Sequence, residues 1–261
     1  MAENASFVIL FYRSLPAGVE DIDRLDSDPQ LCAEYAADMF AYLRGRQRTV
    51  APLHLQGCPT NDRMRAVLVD WLVEVQVQFK LLQETLFSTV SIVDRYLAVE
   101  GKHVTKSQLQ LVGVSAMFLA AKTEEVYAPA CSDFVYITDN AYTEAQIKAT
   151  EIDILRVLNF DLFEPVSLHF LRRFSKAGDV DVLQHGLAKF AIEAALLEYQ
   201  LVPVEADRLA AAALLLALLL LGKDQAGVWG PNLAHHTTFT RDQLLPTTAR
   251  LARLLANLLA K

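Results

Sequence analysis

Apolar side chains recur along most of this chain at the three- and four-residue spacings of an amphipathic helix. No stretch shows the strict alternation of a strand. Asp28-Pro29 reads as a helix start, with proline at the first helical position. After it, Leu31, Tyr35, Met39, Tyr42 and Leu43 follow at spacings of four, four, three and one, which is one helix face. A loop runs through Pro52, Gly57 and Pro59. From Thr60 the helical pattern is nearly continuous. Met64, Val67, Leu68, Trp71, Leu72 and Val75 line one broad face, and Leu86, Val90, Val93 and Leu97 line another within residues 84–99. Residues 105–122 are richer in small side chains (Gly113, Ser115, Ala116, Ala120, Ala121). Small residues let neighbouring helices approach closely, so this segment is expected at the centre of a bundle. A short piece at 132–137 and a helix over 143–158 follow, the latter opened by a capping-box pair, Thr143 and Gln146.

Asn159-Phe160-Asp161 and Pro165 interrupt the pattern, and a second helical set begins over 166–176, 180–199, 206–221, a short piece at 229–236, and 241–259. This set also has a central helix of small residues. Laying 115–120 over 212–217 gives an offset of 97 residues. The order of elements therefore predicts an all-α fold of two five-helix units preceded by an N-terminal helix. The expected divisions are a poorly ordered leader (1–19), the N-terminal helix and linker (20–59), a first unit (60–163) and a second (164–261).

Charge narrows the function classes. The formal net charge is −7. Phosphate-backbone binding needs clustered cations, so a nucleic-acid partner is not expected. The densest basic spots, Arg44/Arg46/Arg48 and Arg172-Arg173, read as solvated surface. Three scattered cysteines, Cys32, Cys58 and Cys131, give neither a disulfide framework nor metal spacing, and read as free thiols in a reducing compartment. The apolar run at 7–12 is short for a signal segment and lacks a basic region ahead of it. The thirteen apolar residues at 209–221 fall short of the roughly 20 that a spanning helix needs, so a buried core helix is expected and no membrane. No phosphate-cradling glycine loop, HExxH, GxSxG or CxxC is present. His235-His236 are adjacent and do not face one ligand, and Glu124-Glu125 lack a histidine at metal spacing. No metal or cofactor is expected, and an enzymatic role has no specific residues to rest on.

The most informative stretch is Met64-Arg65-Ala66-Val67-Leu68-Val69-Asp70-Trp71-Leu72. Met64, Leu68 and Trp71 form an i, i+4, i+7 stripe, flanked by Asp70 and Glu74 four apart. By its spacing alone such a stripe reads first as plain core, and second as an exposed strip for a peptide with apolar anchors and a basic residue. The run resembles the MRAIL motif of the cyclin family, with Val67 in place of isoleucine. The resemblance continues through Val93-Asp94-Arg95-Tyr96, Leu109-Gln110-Leu111-Val112-Gly113, Ala121-Lys122-Thr123-Glu124-Glu125, Phe134-Val135-Tyr136-Ile137-Thr138-Asp139, Glu151, Leu155 and Asn159-Phe160-Asp161-Leu162. It covers roughly residues 20–261 and implies two tandem five-helix cyclin boxes. Leu168-His169-Phe170-Leu171-Arg172-Arg173, with Val19-Glu20-Asp21-Ile22-Asp23 upstream, is most similar to the mitotic B-type subgroup. Mitotic members commonly carry a long region ahead of the boxes, and this sequence starts just ahead of them.

The resemblance implies a non-catalytic regulatory subunit. Cyclins press on the regulatory helix of a cyclin-dependent protein kinase, which carries the Glu that pairs with the catalytic Lys. A partner of mitotic type and a role at the G2/M transition, in cytoplasm and nucleus, would follow. Lys122, Glu125 and Glu151 would face the kinase, with Lys122 and Glu151 bonding its main chain. Leu155, Phe160 and Leu162 would add apolar contact, with Tyr35 and Met39 from the N-terminal helix. The resemblance gives Arg65, Asp94 and Leu111 structural roles, the first two as a pair. Met64, Val67, Leu68, Trp71 and Gln110 would dock RxL-type substrates or inhibitors, with Asp70 and Glu74 receiving the basic residue. The sequence departs from the family at Thr123, usually Phe or Tyr, and at Ala128-Pro129-Ala130, usually Pro-Pro-Glu. Both departures fall on the implied kinase face. The alternative is a cyclin-box protein that no longer activates a kinase, or a transcription-type scaffold on the same boxes.

Overall fold

The computed structural model describes residues 15–24, 28–47, 50–51, 54–222 and 228–260. The apolar run at 7–12, Asp26, Arg48 and Pro52 lie outside them. Among the described residues every regular element is helical: α1 (Ala36–Arg46), α2 (Asp62–Phe79), α3 (Gln83–Glu100), α4 (Leu109–Glu124), α5 (Cys131–Ile137), α6 (Glu144–Val157), α7 (Ser167–Ala177), α8 (Val182–Ala195), α9 (Ala206–Leu220), α10 (Pro231–Thr237) and α11 (Arg241–Leu259). The expected count holds, with five helices in each unit.

Local chemistry sets the helix starts. Asn61 Oδ1 accepts the Met64 amide at 2.9 Å and opens α2. Thr143 and Gln146 form the expected capping box, with the Thr143 amide donating to Gln146 Oε1 at 2.8 Å. Asp181 with Gln184 and Thr240 with Gln243 repeat the device ahead of α8 and α11. The N-terminal helix starts later than Asp28-Pro29 suggests. Asp28 caps only a single 3-10 turn, Pro29–Leu31, because Cys32 then turns left-handed (φ 47°), and the α-helix begins at Ala36.

Each unit wraps around one small-residue helix. α4 packs against α2, α3, α5 and α6; α9 packs against α7, α8, α10 and α11. They begin at Leu109 and Ala206, reproducing the 97-residue offset. Residues 112–121 of α4 and 209–218 of α9 are buried without a break. The apolar run at 209–221 is therefore mostly the core of the second unit, and among the described residues no helix is long and apolar enough to cross a membrane. Gly113 shows why small residues are needed: a Cβ there would lie 2.7 Å from Leu68 Cδ1, so α2 and α4 approach this closely only at glycine.

The two cores interlock. Phe87 of α3 belongs to the second core, and Leu196, Leu197 and Tyr199 pack on the first. Arg65 and Asp94 pair as the resemblance implies. Arg65 is only 1% exposed. Its Nε and Nη2 donate to the two Asp94 oxygens at 2.6 Å each, and its Nη1 donates to the Leu196 carbonyl at 2.8 Å, so the pair also ties the first unit to the end of α8. Leu55 N–H donates to the Tyr199 hydroxyl at 2.8 Å beside it.

Among the described residues, the basic spots read as solvated surface also make intramolecular ties: Arg44, Arg46, Arg172 and Arg173 each meet a carboxylate from a distant segment, Arg172 with its side chain still 56% exposed. Arg44 lies 3.6 Å from Asp207, Arg46 is 2.7 Å from Asp161, Arg172 pairs with Glu84, and Arg173 holds Asp23 with two bonds of 2.9 and 2.7 Å. Asp23 anchors residues 15–24 on the second unit. Nearby, Glu20 N–H donates to Asn232 Oδ1 at 3.1 Å.

Candidate functional site

Lys122 sits in the last turn of α4 and Glu151 in the second turn of α6, and their side chains pair directly. The Lys122 ammonium also lies 4.1 Å from the centroid of Phe118. The Lys122 side chain is 38% exposed and the Glu151 side chain 13%, so the lysine is the more open end of the pair. Leu155 is one turn beyond Glu151 on the same face of α6 and is half-buried.

The chain then leaves α6 through Asn159 and Phe160, both left-handed at φ 53° and 58°. A bulky residue in this region is strained, and it persists only where its surroundings hold it. Here they do. The Phe160 amide donates to the Leu155 carbonyl at 2.8 Å. Arg95 donates to the carbonyls of Asp161 and Leu162, and Arg46 holds the Asp161 carboxylate. The outcome is a phenylalanine ring 70% exposed, beside half-buried Leu162. Because Arg46 closes α1, the same ion pair ties the N-terminal helix to this loop. On α1 and the turn before it, Leu31, Tyr35, Met39 and Tyr42 are all exposed. The buried face is formed instead by Ala36, Phe40 and Leu43, with the Phe40 ring 6.0 Å from Phe170 of α7. The periodic face seen in the sequence is thus largely an outer face.

Glu125 is placed differently from its neighbours. It is half-buried and turned toward α3, where its Oε1 accepts the Leu82 amide at 2.7 Å and the Thr85 hydroxyl. Glu124 accepts from Ser88 at 2.7 Å. The Thr123 hydroxyl donates back to the Ala120 carbonyl at 2.8 Å. Sequence reasoning left Val126 and Tyr127 unassigned, yet Tyr127 is 92% exposed directly after this turn, and Ile152 is exposed beside Glu151. Arg95 stood inside a quoted motif without a role; nothing in its spacing shows that it clamps the Phe160 loop.

The second constellation lies on α2 and the first turn of α4. Val67 is exposed, Met64, Trp71 and Gln110 are half-buried, and Leu68 is buried. Asp70 and Glu74 are exposed beside them. Leu68 therefore serves the core while its neighbours form a partly open apolar strip with two carboxylates at its edge. Leu111, one residue on, is half-buried against the first core. Among the described residues no group of three or more His, Cys, Asp or Glu side chains is placed to hold a metal ion.

Two interlocked five-helix units, each wrapped around a helix of small residues, define an all-α class of tandem helical boxes. Residues 38–163 match the cyclin N-terminal domain family and residues 165–260 the cyclin C-terminal domain family. The chain belongs to the cyclin family. It is 47% identical over 260 residues to G2/mitotic-specific cyclin-B of Marthasterias glacialis, covering 98% of this chain and 66% of that protein. It is 49% identical over 238 residues to G2/mitotic-specific cyclin-B2 of Anguilla japonica, covering 90% and 59%. The chain thus spans less than two thirds of the length of these curated relatives. Among solved structures, a viral cyclin from herpesvirus saimiri superposes with a TM-score of 0.71 at 18% identity, covering 83% of this chain and 96% of that one. A chain of the CAK complex of Chaetomium thermophilum bound to ATP-gamma-S gives 0.53 at 16%, covering 92% and 78%. Both likenesses concern the fold.

Proposed function

We propose that this chain is a non-catalytic regulatory subunit that binds and activates a cyclin-dependent serine/threonine kinase of mitotic type, acting at the G2/M transition. The observation that carries this reading is the Lys122–Glu151 pair together with Phe160 just past the end of the same α6, an aromatic side chain held outward by a strained, clamped backbone. Lys122 has three donors and Glu151 several acceptor sites, so each keeps capacity for kinase main-chain groups while paired with the other. Leu155, Phe160, Leu162, Tyr35 and Met39 supply apolar area around them. Docking there would position the kinase's regulatory helix and so complete the phosphoryl-transfer site on the kinase, with no chemistry on this chain. The similarity to mitotic B-type cyclins supports the kinase class and the cell-cycle stage. The strip of Met64, Val67, Trp71 and Gln110 would recruit RxL-type substrates, with Asp70 and Glu74 receiving the arginine. The three free cysteines agree with work in cytoplasm and nucleus.

The test mixes the purified chain with a monomeric mitotic cyclin-dependent kinase and follows histone phosphorylation. Activation is expected, with a Lys122→Ala, Glu151→Ala variant weaker by at least about ten-fold. A folded chain that fails to activate a kinase responsive to a control cyclin would instead support a cyclin-box protein without kinase activation. Thr123 and Ala128-Pro129-Ala130 on the kinase face would then mark the loss.

A further inference from the structure

A second recess lies on the first box, on the α6 side of the first turn of α4. The end of α3, the loop leading into α4 and the middle of α6 enclose a groove of about 360 Å³ lined by Tyr96, Glu100, His103, Leu111, Thr150 and Asp153 among others. Its floor includes Val104, Leu111 and Val112, and its walls carry two carboxylates, Glu100 from α3 and Asp153 from α6. Asp153 accepts the Tyr96 hydroxyl at 2.6 Å, and Glu100 lies 2.9 Å from His103 Nδ1 at the rim. No lysine or arginine lines the groove. The Tyr96 phenol is pushed far above its ordinary value, chiefly by burial, then by the bond to Asp153, and last by the charges of Asp153 and Glu100.

An apolar floor under two carboxylates fits a long cationic side chain, whose stem lies on hydrocarbon while its head meets the acids. We propose that this groove holds a second lysine or arginine side chain, distinct from the arginine received by Asp70 and Glu74, of an extended peptide that crosses the first turn of α4 and places an apolar residue in the Met64–Trp71 strip. The proposal deepens the substrate-docking reading and rests on it for the apolar anchor. Gln110 belongs to the strip, while Gln108 and Leu111 line the groove, so the two sites share one helix turn. A helix is about 10–12 Å across with its side chains, a span covered by three to four extended residues. The expected ligand therefore carries its basic residue about that far from its apolar anchor.

The experiment titrates the isotopically labelled full chain with a synthetic peptide bearing leucine, a three-residue spacer and lysine, beside the same peptide with glutamine for lysine. The lysine peptide is expected to shift the amide resonances of residues 100–104 and 149–153 and to bind about five-fold more tightly than the glutamine peptide. Glu100→Gln should remove that difference, and Thr150→Arg, which places the chain's own cation in the groove, should do the same. Equal binding of the two peptides, or silent resonances at 100–104 and 149–153, overturns the groove proposal. The Trp71 indole resonance reports the strip separately. If it moves while the groove stays silent, the docking strip stands and the groove falls; if the groove moves while the indole stays silent, the groove stands and the apolar anchor falls.

Discussion

Asp94→Asn removes one partner of a buried pair within the first box, whose arginine also reaches the end of α8. Arg65 is 1% exposed, with three donors committed: two to Asp94 at 2.6 Å and one to the Leu196 carbonyl at 2.8 Å. Losing the Asp94 charge leaves the guanidinium buried and uncompensated, at a cost of about 3–5 kcal/mol. Arg65→Met strands Asp94 in the same way and also leaves the Leu196 carbonyl without this donor, a further loss of about 1.5–3 kcal/mol for a bond to a charged group. In the double variant Arg65→Met, Asp94→Asn no buried charge remains from the pair. Its cost should then fall short of the sum of the single variants by at least about 1–2 kcal/mol. Urea unfolding followed by circular dichroism and by tryptophan fluorescence measures all three; Trp71 reports the first box and Trp229 the second. Single variants that cost under about 1 kcal/mol, or a double variant equal to the sum, would refute the view that this pair is a desolvated clamp between boxes.

The glycines make an opposed pair of predictions: Gly113→Ala drives a Cβ to 2.7 Å from Leu68 Cδ1 and should cost about 1–3 kcal/mol while disturbing the docking strip, whereas Gly186→Ala, in α8 with nothing within 4 Å, should stabilise by about 0.5–1 kcal/mol. Thermal melts of the two variants check both signs. Burial pushes His54, His169, His185 and His236 below the ordinary histidine value, so the unfolded chain binds more protons than the folded one. Their contribution to stability is complete above the unfolded value of about 6.5 and is lost as pH falls through the lower folded values. The melting temperature should therefore drop from pH 7.5 toward pH 5, less steeply in a His54→Asn, His169→Asn variant; an unchanged slope would remove the histidines as the cause.

Helix type, number and order were legible in the sequence, because a helix needs only local spacing and local caps. The 3.6-residue period located the long helices among the described residues, Thr143 with Gln146 opened α6 as expected, and the small-residue runs marked α4 and α9 as central. The family motifs likewise marked Arg65 with Asp94 and the Lys122–Glu151 region. Which side of a helix meets another was decided only by tertiary packing. Leu31, Tyr35, Met39 and Tyr42 form a periodic face that turns outward, since Phe40 and Leu43 reach the second box first. Glu125 turns inward to α3 although its neighbour Lys122 does not, because the start of α3 needs an acceptor at that place. Arginines that look solvated along the chain are ties to carboxylates more than 80 residues away. The outward Phe160 depends on Arg95 and Arg46 meeting one loop from two helices, and the acidic groove depends on α3 and α6 lying side by side. Charge pairing and exposure are properties of distance in space, and spacing along the chain determines that distance only within a helix.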